Sequence, residues 1–119
     1  MAARIQNADI RLDILIKRVK DYYLAHCLQF DLVATEESIE KVRESIVNLC
    51  LSHIENTIRN DNLAYLFSPA PQEVWAEYLA LAKSASCEVI SGPLGEEIAS
   101  LPPFIDQEVV CHEQNAPVP

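Results

Sequence analysis

Three Cys/His pairs hold the side chains best suited to metal binding or nucleophilic attack: His26 with Cys27, Cys50 with His53, and Cys111 with His112. Cys50 and His53 stand three apart, so on a helix both side chains could reach one metal ion. A structural zinc site wants four ligands, delivered as a rule by short loop-borne Cys-x-x-Cys units. The chain contains no such unit. A cluster of Cys50 and His53 with Cys27 or Cys111 is the metal alternative, and buried apolar thiols with hydrogen-bonded core histidines are the expectation. Neither a metal nor a cofactor is expected.

Nucleophilic catalysis needs a base beside the nucleophile and an oxyanion-stabilising backbone. Ser52 and His53 are neighbours that face different ways on a helix, and Cys50 falls in the middle of an apolar stripe. A phosphate cradle needs several glycines, and the chain has two, both in Ser91-Gly92-Pro93-Leu94-Gly95, which leads into Glu96-Glu97. Those carboxylates, like Glu36-Glu37, read as first-turn acids placed by the helix dipole. No catalytic residue is assigned, and the chain is not expected to be an enzyme.

The segments that carry these groups read as helical. Glycine is scarce, and no stretch reads as alternating over strand length. Leu12, Leu15, Ile16, Val19, Tyr22, Tyr23, His26, Cys27 and Phe30 recur at three- and four-residue steps, which predicts a helix over about 9–30. A second helix, about 35–60, starts from Thr35 as N-cap and carries two apolar stripes in its latter half. The second of these, Val47, Leu51, Ile54 and Ile58, would have to be covered from another side. Leu63–Phe67 is an apolar plug, and a third helix runs over about 70–86 from Ser68-Pro69-Ala70-Pro71. A short helical turn at 96–101 and a flexible tail from 113 complete the expectation. It is an all-α fold, a small helical bundle forming a single domain over 1–112.

Half of the 119 residues are hydrophobic, and the net charge is -9. Residues 1–60 hold eight basic and nine acidic side chains, whereas residues 61–119 hold Lys83 against nine acids. Such a balance disfavours phosphate-backbone binding, so no direct nucleic-acid contact is expected. No apolar run approaches the ~18 residues of a membrane span. With no secretory signal at Met1–Arg18, reduced cysteines and a cytoplasmic location are expected.

What remains is interaction. The expected function is that of an acidic binder, acting as inhibitor, immunity or adaptor protein on a larger partner with a basic surface. The partner-binding candidates are Glu73, Glu77, Glu88, Glu96, Glu97, Asp106 and Glu108. A homodimer built through Ile10, Ile14, Leu24 and Leu28 is the alternative, with a bundle carrying a small ligand or a metal as the third reading.

Overall fold

The computed structural model describes residues 10–91 and 105–112. In chain order they form β1 (Leu12–Val19), β2 (Tyr22–Cys27), β3 (Leu32–Glu36), α1 (Ile39–Arg59), a 3-10 turn (Leu63–Tyr65), α2 (Gln72–Ala82), β4 (Cys87–Ser91) and β5 (Ile105–Cys111). The strands make one sheet in the order β3-β2-β1-β5-β4. β1 and β5 run parallel, and every other neighbouring pair is antiparallel. α1 packs on β2 and β3 from one face, and α2 on β4 and β5 from the other. This is a mixed α/β fold, so the expected all-α helical bundle is wrong.

The error lies in the helix expected over about 9–30, where residues 12–30 form the β1–β2 hairpin and the start of the β2–β3 loop. β1 is the central strand and is covered on both faces. Leu12, Ile14 and Ile16 point to the α1 side, and Leu15 points to the α2 side. A strand buried on both faces loses its polar alternation and reads as an apolar run. Two strands in series then mimic helical spacing, because an even step of two meets a helical step of four at every second residue.

Scarce glycine does not prevent hairpins here. Val19 pairs with Tyr22 across a two-residue turn in which Lys20 takes φ 56°, and Asp31 takes φ 57° in the four-residue turn before Leu32. Asp tolerates this region through its short polar side chain, whereas Lys20 bears a steric cost.

α1 lies near its expected place but starts later. Ser38 is the N-cap, its hydroxyl accepting the Lys41 N–H at 3.2 Å, while Thr35 belongs to β3. Val42, Ile46 and Cys50 form its buried line, one helical turn apart, against Ile14, Ile16, Ala25 and Cys27 of the sheet. Each such burial is worth roughly 1.5–3 kcal/mol. Asn60 caps the C-terminus and Asp61 takes φ 56°, so the helix stops where Asn60-Asp61-Asn62 predicts.

The connection then changes face. Leu66 is buried beside α1. Ser68 donates its N–H to the Gln29 carbonyl (2.9 Å) and Ala70 to that of Leu28 (2.8 Å), carrying the chain past the β2–β3 loop. Tyr65 nevertheless remains 73% exposed, so the Leu63–Phe67 segment is not wholly a plug. α2 is shorter than the expected 70–86. Its Tyr78 and Leu81 close the second core over Leu15, Leu28 and Val109, with Trp75 packed beside them. The expected turn at 96–101 and the tail lie outside the described residues.

Candidate interaction surface

The Cys/His pairs do not assemble into a site. Adjacent strand positions point to opposite faces, which separates His26 from Cys27. His26 Nε2 lies 2.7 Å from Asp31 on the α2 side, while Cys27 is buried under α1 and meets Cys50 there. Their contact pushes the Cys50 thiol up, an effect burial reinforces, and lowers that of Cys27, and both thiols are buried away from any substrate. His53 turns elsewhere, its Nε2 2.8 Å from the Leu66 carbonyl and its ring 4.6 Å from that of Phe30. Cys111 is bonded to Cys87 across β4 and β5, which corrects the expectation of four reduced cysteines. Among the described residues no three His, Cys, Asp or Glu side chains converge on a metal-sized space.

One polar cluster lies between the sheet and α2. A register shift at Leu12/Asp13 accompanies the start of the β1–β5 pairing. Asp13 Oδ1 accepts the Tyr78 hydroxyl at 3.1 Å, and Oδ2 accepts Gln29 Nε2 at 2.8 Å. Gln29 Oε1 in turn accepts the Asp13 N–H at 2.8 Å, and Gln107 Nε2 donates to the Tyr78 hydroxyl at 2.9 Å. Burial raises the Asp13 carboxyl above its ordinary value, opposed by the hydrogen bonds from Gln29 and Tyr78. Burial first, then the Asp13 charge, pushes the Tyr78 hydroxyl up. Among the described residues no buried side-chain polar atom lacks a partner. This cluster ties the β2–β3 loop, β1, β5 and α2 together, a fully satisfied network that rigidifies rather than reacts.

The expected partner-binding acids do not share one surface. Glu108 is 1% exposed and forked by Arg43, so it has no charge to offer a partner. Glu77 binds Lys17 at 2.9 Å on α2, and Glu88 lies 3.2 Å from His112. Glu73 sits exposed in the first turn of α2 and Asp106 is exposed on β5. Glu96 and Glu97 lie outside the described residues. The proposed dimer contact is likewise divided: Ile10, Ile14 and Leu28 are buried in the cores, and Leu24 alone of the four is part-exposed.

The surface that does form a unit is on α1. Glu40, Glu44, Leu51, Glu55 and Ile58 are spaced so that they share one outward strip of the helix. All five are exposed, Leu51 at 39% and Ile58 at 41%, with Val47 and Ile54 half-buried beside them. No ion pair involves Glu40, Glu44 or Glu55 among the described residues. The second apolar stripe of α1, expected to be covered, is left partly open. The sequence shows that stripe plainly, but not that a single sheet face would cover only the first.

Comparison with protein-family models, curated proteins and solved structures finds no match for this chain. Among the described residues no helix is long and apolar enough to cross a membrane.

Proposed function

We propose that this domain is a non-catalytic protein-interaction module, an acidic binder that acts as inhibitor, immunity or adaptor protein on a larger, basic partner. The observation that carries the reading is the outward strip of α1. Leu51 and Ile58 supply apolar contact area, and Glu40, Glu44 and Glu55 supply charge around it that no described residue pairs. An apolar centre with a polar rim is the ordinary anatomy of a protein interface. The carboxylates speed encounter with a cationic surface and reject acidic ones, while the buried apolar contact slows release.

The test is native mass spectrometry of the full chain isolated gently from its source cells, at low and then moderate salt. A basic protein should accompany the chain at low salt and dissociate as salt rises. The Glu44→Lys/Glu55→Lys and Leu51→Asp variants should each lose it, while Lys83→Ala keeps it. A bare chain at both salts, or a partner held equally by the α1 variants, would remove this reading.

A further inference from the structure

We propose that the outer edge of β3 is a strand-addition site for an extended basic segment of a protein partner. It goes beyond the α1 reading, because it concerns another surface and is tested through other residues.

Hydrogen-bond alternation sets which backbone groups are free. Leu28 donates its N–H to the Asp13 carbonyl at 3.0 Å, in register with the Ile14–Cys27 pair. In an antiparallel ladder the bonding residues alternate. Leu24, His26 and Leu28 therefore turn their N–H and C=O groups to β1, and Tyr23, Ala25 and Cys27 turn theirs to β3. Their partners Glu36, Ala34 and Leu32 bond inward. Val33 and Thr35 are left with both N–H and C=O directed outward, where no described strand pairs with them. The same two residues are the exposed ones of the strand, Val33 at 46%.

Free strand edges are commonly guarded by lysine, proline or a bulge. β3 carries none of these, and all five of its residues pair with β2 in unbroken register. Two β-branched residues on a regular edge suit an incoming strand. Charge selects its chemistry. Asp31 and Glu37 are exposed at the two ends of β3, roughly 20 Å apart at strand rise. Glu36 adds a third carboxylate, held by the Ser45 hydroxyl at 2.8 Å. Among the described residues, the basic side chains nearby are Lys41, 3.7 Å from Glu37, and the His26 imidazole beside Asp31. A segment of about seven residues with Lys or Arg at each end would match both the length and the charge. A second copy of this chain matches poorly. The antiparallel register centred on Ala34 would set Asp31 opposite Glu37 of the second copy at both ends, and like charges directly opposite are unfavourable.

Two measurements on the full chain test this. In amide hydrogen exchange of the free chain, Val33 and Thr35 should exchange fast while Leu32, Ala34 and Glu36 are slow. Equal protection of all five in a monomer would mean that the chain covers its own edge, and would overturn the proposal. Random twelve-residue peptides displayed against the immobilised chain at low salt should then enrich for basic residues alternating with β-branched ones. Binding of the selected peptides should fall at least tenfold with Val33→Pro and with Thr35→Pro, each checked for native melting. Val33→Thr, which keeps the N–H, should bind as the parent does. Failure to enrich any peptide, or peptides indifferent to both prolines, would overturn the strand-addition site. A salt-resistant dimer abolished by the prolines would give the edge to a second copy and overturn it equally. Peptides lost with Glu44→Lys but not with the prolines would sink this proposal alone and leave the α1 reading standing.

Discussion

Arg43 of α1 and Glu108 of β5 form a forked ion pair, with Nε 3.0 Å from both carboxylate oxygens and Nη2 2.6 Å from Oε1. It joins the helix to the strand beside β1 across 65 residues of chain. The planar guanidinium suits this two-point contact better than an ammonium would. Arg43→Ala would leave the Glu108 carboxylate buried without its partner. We expect a loss of about 2–4 kcal/mol, at the lower end because Arg43 is itself part-exposed. Arg43→Ala/Glu108→Gln should recover part of that loss. Urea unfolding midpoints measure both, and an unchanged midpoint in the single variant would show the pair to be neutral.

Asp13 supplies a pH dependence. Its carboxyl is raised in the folded state, chiefly by burial. The folded chain then binds this proton more readily than the unfolded chain. Stability from this group should therefore be greatest below the unfolded value of about 3.9, fall as pH rises through the folded value, and level off above it. Tyr78→Phe removes a donor to the carboxylate, so the Asp13 value should rise further and the window widen upward. The lost hydrogen bonds should cost about 1 kcal/mol besides. Asp13→Asn should flatten the dependence. Carboxyl carbon shifts in NMR titrations, set beside unfolding at each pH, report both effects. A lowered Asp13 value in Tyr78→Phe would contradict this account.

The Cys87–Cys111 bridge closes a loop of sequence separation 24. Opening it should cost up to about 3.5 kcal/mol through the entropy regained by the unfolded chain. Thiol counting in denaturant should find two free groups, Cys27 and Cys50, before reduction and all four cysteines after it. Four free groups without reductant would show the bridge to be open in that preparation.

Lys20 stands at φ 56° in the two-residue β1–β2 turn. Replacing it with glycine relieves the side-chain clash of the left-handed region, so Lys20→Gly should raise stability by about 1 kcal/mol. Lys20→Val should lower it. Thermal melts of the two variants in opposite directions from the parent are the expected result, and a shift in the same direction would discount the strain.

The two helices were legible because their signals are local. Acid and hydroxyl residues before α1, the Asn60-Asp61-Asn62 stop, and the prolines before α2 act within a few residues of where they stand. The β-strands were not. Ile10, Leu12, Ile14 and Ile16 do alternate with Arg11, Asp13 and Lys17, but Leu15 breaks the pattern because α2 covers its side of the sheet. β3 hid as a connection, since Val33 and Thr35 lie at an edge where their side chains meet water.

The acidic character, the two apolar stripes of α1, and the absence of loop-borne zinc and glycine-rich phosphate motifs can all be read from the residues alone. Composition and nearest-neighbour spacing carry those properties, and no fold is needed to read them. Which carboxylates remain available depends instead on how the chain folds. Glu108 disappears beneath Arg43 because β5 runs beside β1, a pairing between residues from opposite ends of the described chain. Glu40, Glu44 and Glu55 stay in water because one sheet face covers only one side of the helix. The free groups of Val33 and Thr35 have the same origin: strand order makes an edge, and strand order is set by contacts that no local window contains.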